Sequence, residues 1–302
     1  MTYLSVCSGI EAVSVAWEPI GFKPIGFSEI ESFPCELLKQ KYPAVKNYGD
    51  ITQYEKWNTG QFDILVGGTP CQSFSIAGKR GGTADERGAL MYAYLGIVET
   101  YRPRWVIWEN VPGVLFSNSG YDFASFLAGL EECGYGWAYR VLDAQYFGVP
   151  QRRRRVFVVG HIDNRTDLAA EILFEQQGVC GNIAAGSETQ KETAIFIGKG
   201  VNYFRRGGNY KYHKDKKAAT LRSSAASDCF DLVLTSEKEY IRRLTPLECE
   251  RLQGFPDNYT QIEWRGKPAE QCPDSLRYKA IGNSMAVPVM RWIGERIKRM
   301  EE

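Results

Sequence analysis

The chain has 302 residues, of which 44% are hydrophobic and 24% charged, and its formal net charge is +1. This composition is typical of a folded enzyme with one large domain and a smaller partner, and it excludes a globally basic protein. A polyanionic partner would therefore have to bind through local basic patches. No apolar run has signal-peptide or membrane-spanning length, and the eight cysteines contain no C-x-x-C pair. These features predict a cytoplasmic protein with no membrane partner and no zinc cluster or other metal site.

Strand and helix patterns alternate through the first 162 residues. Short apolar runs predict strands at residues 3–7, 24–28, 62–66, 105–108, 137–142 and 156–160. Amphipathic stretches predict helices at residues 10–20, 32–42, 90–101 and 123–133. This alternation predicts an α/β fold built on a doubly wound sheet.

The pattern changes after residue 162. Residues 163–241 are polar, irregular and glycine-containing, which indicates a different kind of segment. Helical signals return at Thr245, which suits an N-cap with Pro246 at the first helical position and Glu248 three residues after the cap. A last helix is predicted at residues 287–300.

Polar groups at the strand ends predict a nucleoside site. Gly9 follows the first strand and permits close approach of a ligand, while Glu29 ends the second strand, where it can accept hydrogen bonds from ribose hydroxyls. Asp50 could accept a hydrogen bond from an exocyclic amine. The chain has neither G-x-x-x-x-G-K-[ST] nor G-x-G-x-x-G, which favours a ligand without a pyrophosphate, such as S-adenosylmethionine. A simple glycine turn is the alternative for Gly9.

Cys71 lies on a turn directly after a predicted buried strand. Gly67 and Gly68 let the backbone leave that strand, and Pro70 fixes the next step, so the thiol sits on an elbow where α/β sheets build active sites. Glu109 ends the next strand and can converge on the same edge. A thiolate and a carboxyl suit addition to an electron-poor ring. The alternatives are a buried core cysteine and a salt-bridged strand-end acid.

Basic residues are concentrated in two places. Four consecutive arginines occupy residues 152–155, where Arg153 and Arg155 could balance the charge of the pocket or hold a phosphate. Residues 199–222 contain eight lysines and arginines, with aromatic residues and glycines among them. This mixture is typical of a flexible surface that binds a nucleic-acid backbone, although a solvated loop is the alternative.

Several blocks in fixed order now suggest a family. They are Ser8-Gly9, Glu29, Asp50-Ile51, Gly68-Thr69-Pro70-Cys71-Gln72, Arg87-Gly88, Glu109-Asn110-Val111, Gln151-Arg152-Arg153-Arg154-Arg155, Arg243-Leu244-Thr245-Pro246, Glu248-Cys249 and Gly282-Asn283-Ser284. In these blocks, and over nearly its whole length, the chain resembles the C5-cytosine DNA methyltransferases of bacteria and phages.

The resemblance implies a class I, Rossmann-like methyltransferase domain at residues 1–162 plus 278–302. A small, irregular target-recognition domain would occupy residues 163–277. The expected partners are S-adenosyl-L-methionine and double-stranded DNA, and the expected state is a monomer.

The resemblance also implies a mechanism. Cys71 would add to C6 of a flipped-out cytosine, and Glu109 would hydrogen-bond N3 and the exocyclic amine. The activated C5 would take the methyl group from S-adenosylmethionine, after which loss of the C5 proton and expulsion of Cys71 restore the ring. Arg153 and Arg155 complete the expected catalytic set, with Arg155 holding the cytosine carbonyl.

Two further sets of residues follow from the resemblance. The expected cofactor-binding residues are Cys7, Ser8, Gly9, Ile10, Glu29, Ile30, Asp50, Ile51, Gly68, Pro70, Asn283 and Ser284. The expected DNA-binding residues are Gln72, Ser73, Ser75, Lys79, Arg205, Arg206, Lys214, Lys217 and Thr220, with residues 72–79 as a loop that closes over DNA.

The chain departs from the family pattern at three points. Cys7 stands where the family usually has an aromatic residue, which removes a stacking partner for adenine. Glu11 stands where glycine is usual, and we expect it to bring charge and bulk near the methionine end of the cofactor. The recognition segment is short, which suggests a short target sequence or fewer contacts.

Three alternatives remain open on sequence alone. An RNA cytosine methyltransferase of the same family would share these motifs. A catalytically inactive DNA-binding protein is less consistent with an intact Cys71, Glu109 and Arg155. A thiol-redox protein lacks a resolving cysteine next to Cys71. The target DNA sequence does not follow from the residues, since base readout depends on loop geometry.

Overall fold

A computed structural model of the chain describes residues 1–69, 86–174, 202–206, 212–215, 232–234 and 241–302. Six strands form the large sheet: β1 (Thr2–Val6), β2 (Lys23–Ser28), β3 (Ile64–Gly67), β4 (Trp105–Asn110), β5 (Tyr135–Asp143) and β6 (Arg154–Ile162). Eight α-helices are described: α1 (Ala12–Trp17), α2 (Ser32–Lys41), α3 (Glu86–Tyr101), α4 (Tyr121–Glu132), α5 (Thr166–Leu173), α6 (Pro246–Gln253), α7 (Asp274–Asn283) and α8 (Val287–Glu301). None of these described helices has the length and apolar character needed to cross a bilayer.

The large sheet has the order β2-β1-β3-β4-β6-β5. Strands β1 to β4 pair in parallel, whereas β6 runs antiparallel to both of its neighbours. The chain passes from β1 to β2 on one side and then crosses to β3 on the other side, so the topological switch point lies between β1 and β3. Open α/β sheets bind ligands at such a switch point, outside the carboxyl ends of the strands. The predicted Rossmann-like fold is thus confirmed, with one antiparallel strand in the sheet.

Alternation along the strands produces two hydrophobic cores. Tyr3, Ile64 and Trp105 face one core, while the next residues along the chain, Leu4 and Leu65 among them, face the other. Helices α1, α2, α5, α6 and α8 contribute to the first core, and α3 and α4 to the second. Trp17 of α1 donates from Nε1 to the carbonyl of Met290 at 2.6 Å, which fixes the C-terminal helix α8 against the sheet.

Two segments inside the predicted recognition domain, residues 163–277, pack with the large sheet. Residues 166–173 form α5 rather than irregular structure, and Ile172 and Leu173 are fully buried in the first core. Leu252 of α6 lies in the same core. The predicted cap of α6 is confirmed: Thr245 Oγ1 accepts from the Glu248 amide at 3.3 Å, and the Glu248 carboxylate accepts from the Thr245 amide at 2.7 Å.

A second sheet is formed by residues that lie between α5 and α6 in the sequence. It contains β7 (Asn202–Arg206), β8 (Tyr212–Asp215), β9 (Leu232–Leu234) and β10 (Ile241–Arg243), all antiparallel in the order β10-β9-β7-β8. Part of the basic stretch at residues 199–222 is therefore a pair of strands, in which Arg205 is opposite His213 and Phe204 is opposite Lys214. This corrects the expectation of a loop throughout the stretch.

Candidate active site

The register of the sheet brings the predicted site residues to one edge. Val6 at the end of β1 is level with Ser28 of β2 and Gly67 of β3, and Gly67 is level with Trp108 of β4. The residues that follow these positions are Cys7 to Gly9, Glu29, Gly68 to Thr69, and Glu109 to Asn110. These strand ends therefore lie at one edge of the sheet, while the predicted convergence of Cys71 with Glu109 stays a prediction because Cys71 lies outside the described residues.

Gly68 lies against Glu109. A Cβ atom at Gly68 would lie 2.9 Å from the Glu109 carbonyl oxygen, 2.9 Å from its Oε2 and 3.6 Å from the methyl carbon of Met285. No side chain fits such distances without displacing a neighbour. Glycine is thus needed because the backbone approaches the carboxyl group, and Gly68, predicted to bind the cofactor, lies beside the predicted catalytic acid.

Two side chains of β4 hold the backbone after β3. Trp108 Nε1 donates to Thr69 Oγ1 at 3.1 Å, and Asn110 Nδ2 donates to the Thr69 carbonyl at 3.0 Å. Thr69 is two residues before Cys71, so these bonds fix the start of the elbow relative to the end of β4. Cys71 itself lies outside the described residues, as do the other predicted site residues of this segment, Pro70, Gln72, Ser73, Ser75 and Lys79.

Glu109 is paired with Arg155. Arg155 Nε lies 3.1 Å from Glu109 Oε1, and the two side chains are only 15% and 12% exposed. Burial raises the pKa of Glu109, and the Arg155 and Arg153 guanidinium groups oppose that rise. A carboxyl in this environment keeps its proton to a higher pH than an exposed glutamate, and a general acid requires such a group.

The antiparallel direction of β6 explains why Arg155 reaches this site. Asn110 is opposite Val156, so β6 begins where β4 ends. Arg153, predicted to be catalytic, is 2% exposed and donates to the carbonyls of Gly282 and Ser284 at 3.2 and 2.5 Å. Arg153 thus holds the Gly282-Asn283-Ser284 turn next to the start of β6, and its catalytic role stays a prediction.

Glu29 and Gly9 form the centre of the predicted cofactor edge. The Gly9 amide donates to Glu29 Oε2 at 2.7 Å, and the Glu29 Oε1 atom accepts from the amides of Ile30 and Glu31 at 2.8 and 2.7 Å. Gly9 has a φ of +55°, and a Cβ there would point into open space. Ile30 is 71% exposed beside the carboxylate, an unusual exposure for isoleucine at the edge of a sheet. These features fit the nucleoside part of S-adenosylmethionine: Glu29 offers a carboxylate to the ribose hydroxyls, Gly9 leaves open space, and Ile30 presents an exposed apolar side chain.

Other predicted cofactor residues stabilise the turns at this edge. The Ser8 amide donates to the Ser28 carbonyl at 3.1 Å, and Ser8 Oγ accepts from the Ser28 amide at 3.1 Å. The buried side chain of Ile10 packs in the first core. Asp50 is exposed and accepts from the Thr52 amide at 2.9 Å, whereas Ile51 is buried in the second core. The Ile10 and Ile51 side chains therefore support the two turns and do not face the edge.

Near the C-terminus, Asn283 is exposed at the end of α7, and the following Ser284 is 6% exposed. The Ser284 carbonyl accepts the hydrogen bond from Arg153. Of this predicted pair, Asn283 is the residue that presents its side chain at the surface.

The Glu11 side chain does not reach the surface of the predicted cofactor edge, where its charge and bulk were expected. Its backbone is left-handed (φ 60°), and its side chain is fully buried as the cap of α1, where it accepts from the Ser14 amide at 3.1 Å and from the Ser14 hydroxyl at 2.6 Å. The Ser5 hydroxyl donates to its other oxygen. Burial raises its pKa to about 7, against the effect of these serine hydrogen bonds. The expectation was wrong because the left-handed turn directs the side chain inward.

Cys7 is half-buried, and its backbone is also left-handed, with a φ of 49°. Burial raises the pKa of its thiol to about 12, and the charges of Glu29 and Asp50 act in the same direction. The thiol therefore stays protonated beside two carboxylates. This geometry disfavours a bulky aromatic side chain at position 7, since such side chains rarely adopt positive φ.

Two residues that support the cofactor edge escaped the sequence reasoning. Asn47 binds the backbone of Glu29, and the Tyr259 hydroxyl donates to the Ile10 carbonyl at 2.9 Å. Tyr259 is 249 residues from Ile10 in sequence. Asn47 precedes the Gly49-Asp50 turn, and this position is the signal that could have drawn attention to it.

The basic recognition residues are described only through their backbone. Arg205 and Arg206 lie on β7 and Lys214 lies on β8, whereas Lys217 and Thr220 lie outside the described residues. The described side chains include no group of three histidines, cysteines or acids that could hold a metal ion.

Comparison with known proteins agrees with this geometry. Residues 1–193 and 179–299 match the family described as C-5 cytosine-specific DNA methylase. A protein of Escherichia phage P1, named DNA N-6-adenine-methyltransferase, is 35% identical over 99% of this chain and 61% of its own length. The Type II methyltransferase M1.ScrFI of Lactococcus lactis subsp. cremoris is 30% identical over 93% of this chain and 73% of its own length.

The fold is also found among solved structures. The Dnmt2 methyltransferase of S. pombe superimposes over 100% of both chains with a TM-score of 0.70 at 17% identity. A variant of Spodoptera frugiperda DNMT2 superimposes over 100% of this chain and 99% of that chain with a TM-score of 0.62 at 19% identity. At these identities the likeness concerns the fold alone. Given the family match along almost its entire length, the chain belongs to the C-5 cytosine-specific DNA methylase family.

Proposed function

We propose that the protein is a DNA (cytosine-5-)-methyltransferase that uses S-adenosylmethionine. The observation that carries this proposal is the largely buried Glu109 carboxyl, which pairs with Arg155 at 3.1 Å and lies against the backbone of Gly68. A carboxyl with a raised pKa can give a proton to a ring nitrogen, and the turn that leads to Cys71 begins beside it.

In the proposed reaction, the Cys71 thiolate forms a bond to C6 of the cytosine. Glu109 donates a hydrogen bond to N3, which accepts the electron density that the addition pushes into the ring. Arg155 holds Glu109 in place and lies within reach of the cytosine carbonyl. S-adenosylmethionine, when bound, supplies the methyl group that C5 receives. A water molecule then takes the C5 proton, the C5–H electron pair re-forms the C5–C6 double bond, and Cys71 leaves C6 as the thiolate, which restores the aromatic ring.

The cofactor edge supports the choice of methyl donor. Glu29 would accept from the ribose hydroxyls, Asp50 from the adenine amine, and Ile30 would cover the base. The neutral Cys7 thiol adds no charge to the two carboxylates already present. Asn283 stands at the surface near the pocket end of α7 and is proposed as a further contact.

DNA would reach the pocket through the segment between α5 and α6. Because both helices pack in the core of the large sheet, we propose recognition boundaries of about 175–243, narrower than the predicted 163–277. Arg205, Arg206, Lys214, Lys217 and Thr220 are the proposed backbone contacts there. Residues 72–79 are proposed to close over the duplex and help offset the few kcal/mol that base flipping costs.

The name of the phage relative makes adenine an outcome to test. That protein has 39% of its length outside the region that this chain matches, since the chain covers 61% of it. Its name therefore describes more chain than is present here. The family match and the Glu109 site both favour cytosine C5.

A direct assay decides between these products. The purified chain, S-adenosylmethionine and unmethylated duplex DNA would be incubated, and the digested nucleosides would be analysed by mass spectrometry. We expect 5-methylcytosine in DNA. N6-methyladenine alone, or 5-methylcytosine only when tRNA replaces DNA, would contradict the proposal.

Two variants connect the product to the mechanism. Cys71→Ser should abolish turnover while leaving DNA binding largely intact, because a hydroxyl is a much weaker nucleophile than a thiolate. Cys133→Ser is the matched control, since Cys133 is a free thiol at the C-terminal end of α4. DNA containing 5-fluorocytosine should form a covalent complex with the wild type and with Cys133→Ser but not with Cys71→Ser. Normal turnover by Cys71→Ser would rule out the covalent route.

A further inference from the structure

We infer that Asn47 is a positioning residue of the cofactor site, which its carboxamide organises by fixing Glu29 and the Asp50 turn relative to each other. The inference rests on the proposed function, because Glu29 and Asp50 are assigned there to the ribose and the adenine. Neither a sequence block nor a charge pattern singles out Asn47. Its role emerges from hydrogen bonds between segments that lie 18 residues apart.

Asn47 lies on a short extension of the large sheet. It pairs in parallel with Phe27 of β2. The Phe27 amide donates to the Lys46 carbonyl at 2.9 Å, and the Tyr48 amide donates to the Phe27 carbonyl at 2.7 Å. The chain then turns away at Gly49, whose φ is +78°. The backbone ladder therefore stops just before the level of Glu29.

Where the backbone turns away from β2, the Asn47 side chain makes the next hydrogen bonds to that strand's chain. Its Oδ1 accepts from the Glu29 amide at 3.0 Å, and its Nδ2 donates to the Glu29 carbonyl at 3.0 Å. A carboxamide has the same donor and acceptor as a peptide group, so it satisfies both backbone groups of one residue. Nδ2 also donates to the Cys35 sulfur at 3.3 Å.

The same side chain holds the second carboxylate turn. Asn47 Oδ1 also accepts from the Gly49 amide at 3.1 Å, and Ser28 Oγ donates to the Gly49 carbonyl at 2.6 Å. Gly49 immediately precedes Asp50. One carboxamide therefore contacts the backbone of Glu29 and the residue before Asp50, and its removal weakens the connection between the two turns.

The test is direct binding of S-adenosylhomocysteine by calorimetry, with no turnover required. We expect Asn47→Ala to weaken binding about tenfold or more, as the removal of several partly buried hydrogen bonds around a ligand site would. Asn47→Asp keeps the oxygen that accepts from Glu29 and Gly49 but has no donor, and it should weaken binding by a smaller factor than Asn47→Ala. Asn58→Asp is the matched control, because Asn58 is exposed and lies 11 residues further along the chain.

A second ligand separates positioning from general loosening. Removal of the ribose 2′-hydroxyl from S-adenosylhomocysteine should weaken binding to the wild type, because Glu29 loses a donor. In the Asn47 variants this penalty should shrink, since Glu29 is no longer held where the hydroxyl lies. Thermal unfolding of each variant verifies that the folded protein is measured, and Asn47→Asp decides the matter if Asn47→Ala does not fold.

The outcomes are distinct from those of the proposed function. Unchanged affinity in the Asn47 variants, or weaker affinity with the full 2′-hydroxyl penalty, would overturn the positioning role. A wild-type protein that fails to bind S-adenosylhomocysteine would instead contradict the proposed function on which the inference rests.

Discussion

Gly68 and Glu109 are in contact across neighbouring strands, with no room for a side chain between the Gly68 backbone and the Glu109 carboxyl. A methyl group at Gly68 would lie 2.9 Å from two oxygens of Glu109. Two hydrogen bonds from Trp108 and Asn110 to Thr69 strengthen this junction. The start of the turn that leads to Cys71 is therefore held in a fixed position relative to the proposed catalytic acid, Glu109.

Gly68→Ala should reduce turnover by about 10²-fold, because displacement of Glu109 or of the elbow by a few tenths of an ångström misaligns the reacting groups. Gly113→Ala is the control, since the nearest atom to a new Cβ there would be 3.9 Å away and the φ of Gly113 is not positive. Methyl transfer under single-turnover conditions measures the effect. Equal rates for the two variants would show that the contact between Gly68 and Glu109 is not needed for catalysis.

Glu109→Gln should lower turnover by about 10²–10⁴-fold with cofactor affinity nearly unchanged, because the amide retains hydrogen bonding but has no acid proton. The raised pKa of Glu109 also predicts the pH dependence of the wild type. The protonated form disappears as pH rises through the raised pKa, so turnover should fall on the alkaline side of that value. A Glu109→Gln variant at the wild-type rate would make the carboxyl structural.

Glu11→Gln should change how stability depends on pH. Burial raises the folded-state pKa of Glu11 from 4.5 to about 7, so the folded protein retains a proton that the unfolded chain releases between these values. The stabilising contribution is complete below pH 4.5 and is lost as pH rises through 7. The slope is at most about 1.4 kcal/mol per pH unit for one group.

Urea unfolding of wild type and Glu11→Gln between pH 5 and 8 measures that slope. The neutral amide should lessen the decline of the free energy of unfolding toward pH 8. Parallel curves for the two proteins would indicate that Glu11 is ionised throughout the range.

Combined neutralisation of Arg205, Arg206, Lys214 and Lys217 should weaken DNA binding and flatten its salt dependence. The log–log slope should fall by up to about 0.9 for each phosphate that the variant no longer neutralises. Binding of S-adenosylhomocysteine should be nearly unchanged, which provides the internal control. Wild-type affinity and slope in this variant would place the DNA contacts elsewhere in the recognition segment.

Much of the sheet could be predicted because local patterns determine it. The apolar runs indicated each strand of the large sheet to within a few residues, and their polar ends correctly pointed to Glu29 and Glu109 at one edge. Helix α5 was missed, although Ala169, Ile172 and Leu173 have the spacing of a helix face, because the surrounding polar residues masked a short pattern.

The direction of side chains and strands could not be read in the same way. Glu11 turns inward because of its left-handed backbone, and Arg153 binds carbonyls 129 and 131 residues away. The role of Asn47 depends on a neighbouring strand. These features arise from tertiary contacts, whose partners a single sequence does not identify.

Helix α5 determines where the described chain ends before the proposed recognition segment. Strand β6 ends at Ile162, level with Tyr135 at the edge of the sheet opposite Glu109. Arg140 donates to the Leu173 carbonyl at 2.7 Å, and Arg140 is opposite Phe157, which is itself opposite Glu109. The C-terminal end of α5 is therefore bonded to the part of the sheet that is in register with Glu109, the proposed catalytic acid. The length of α5 therefore matters as well as its position. One residue inserted into the helix would rotate whatever follows it by about 100° about the helix axis.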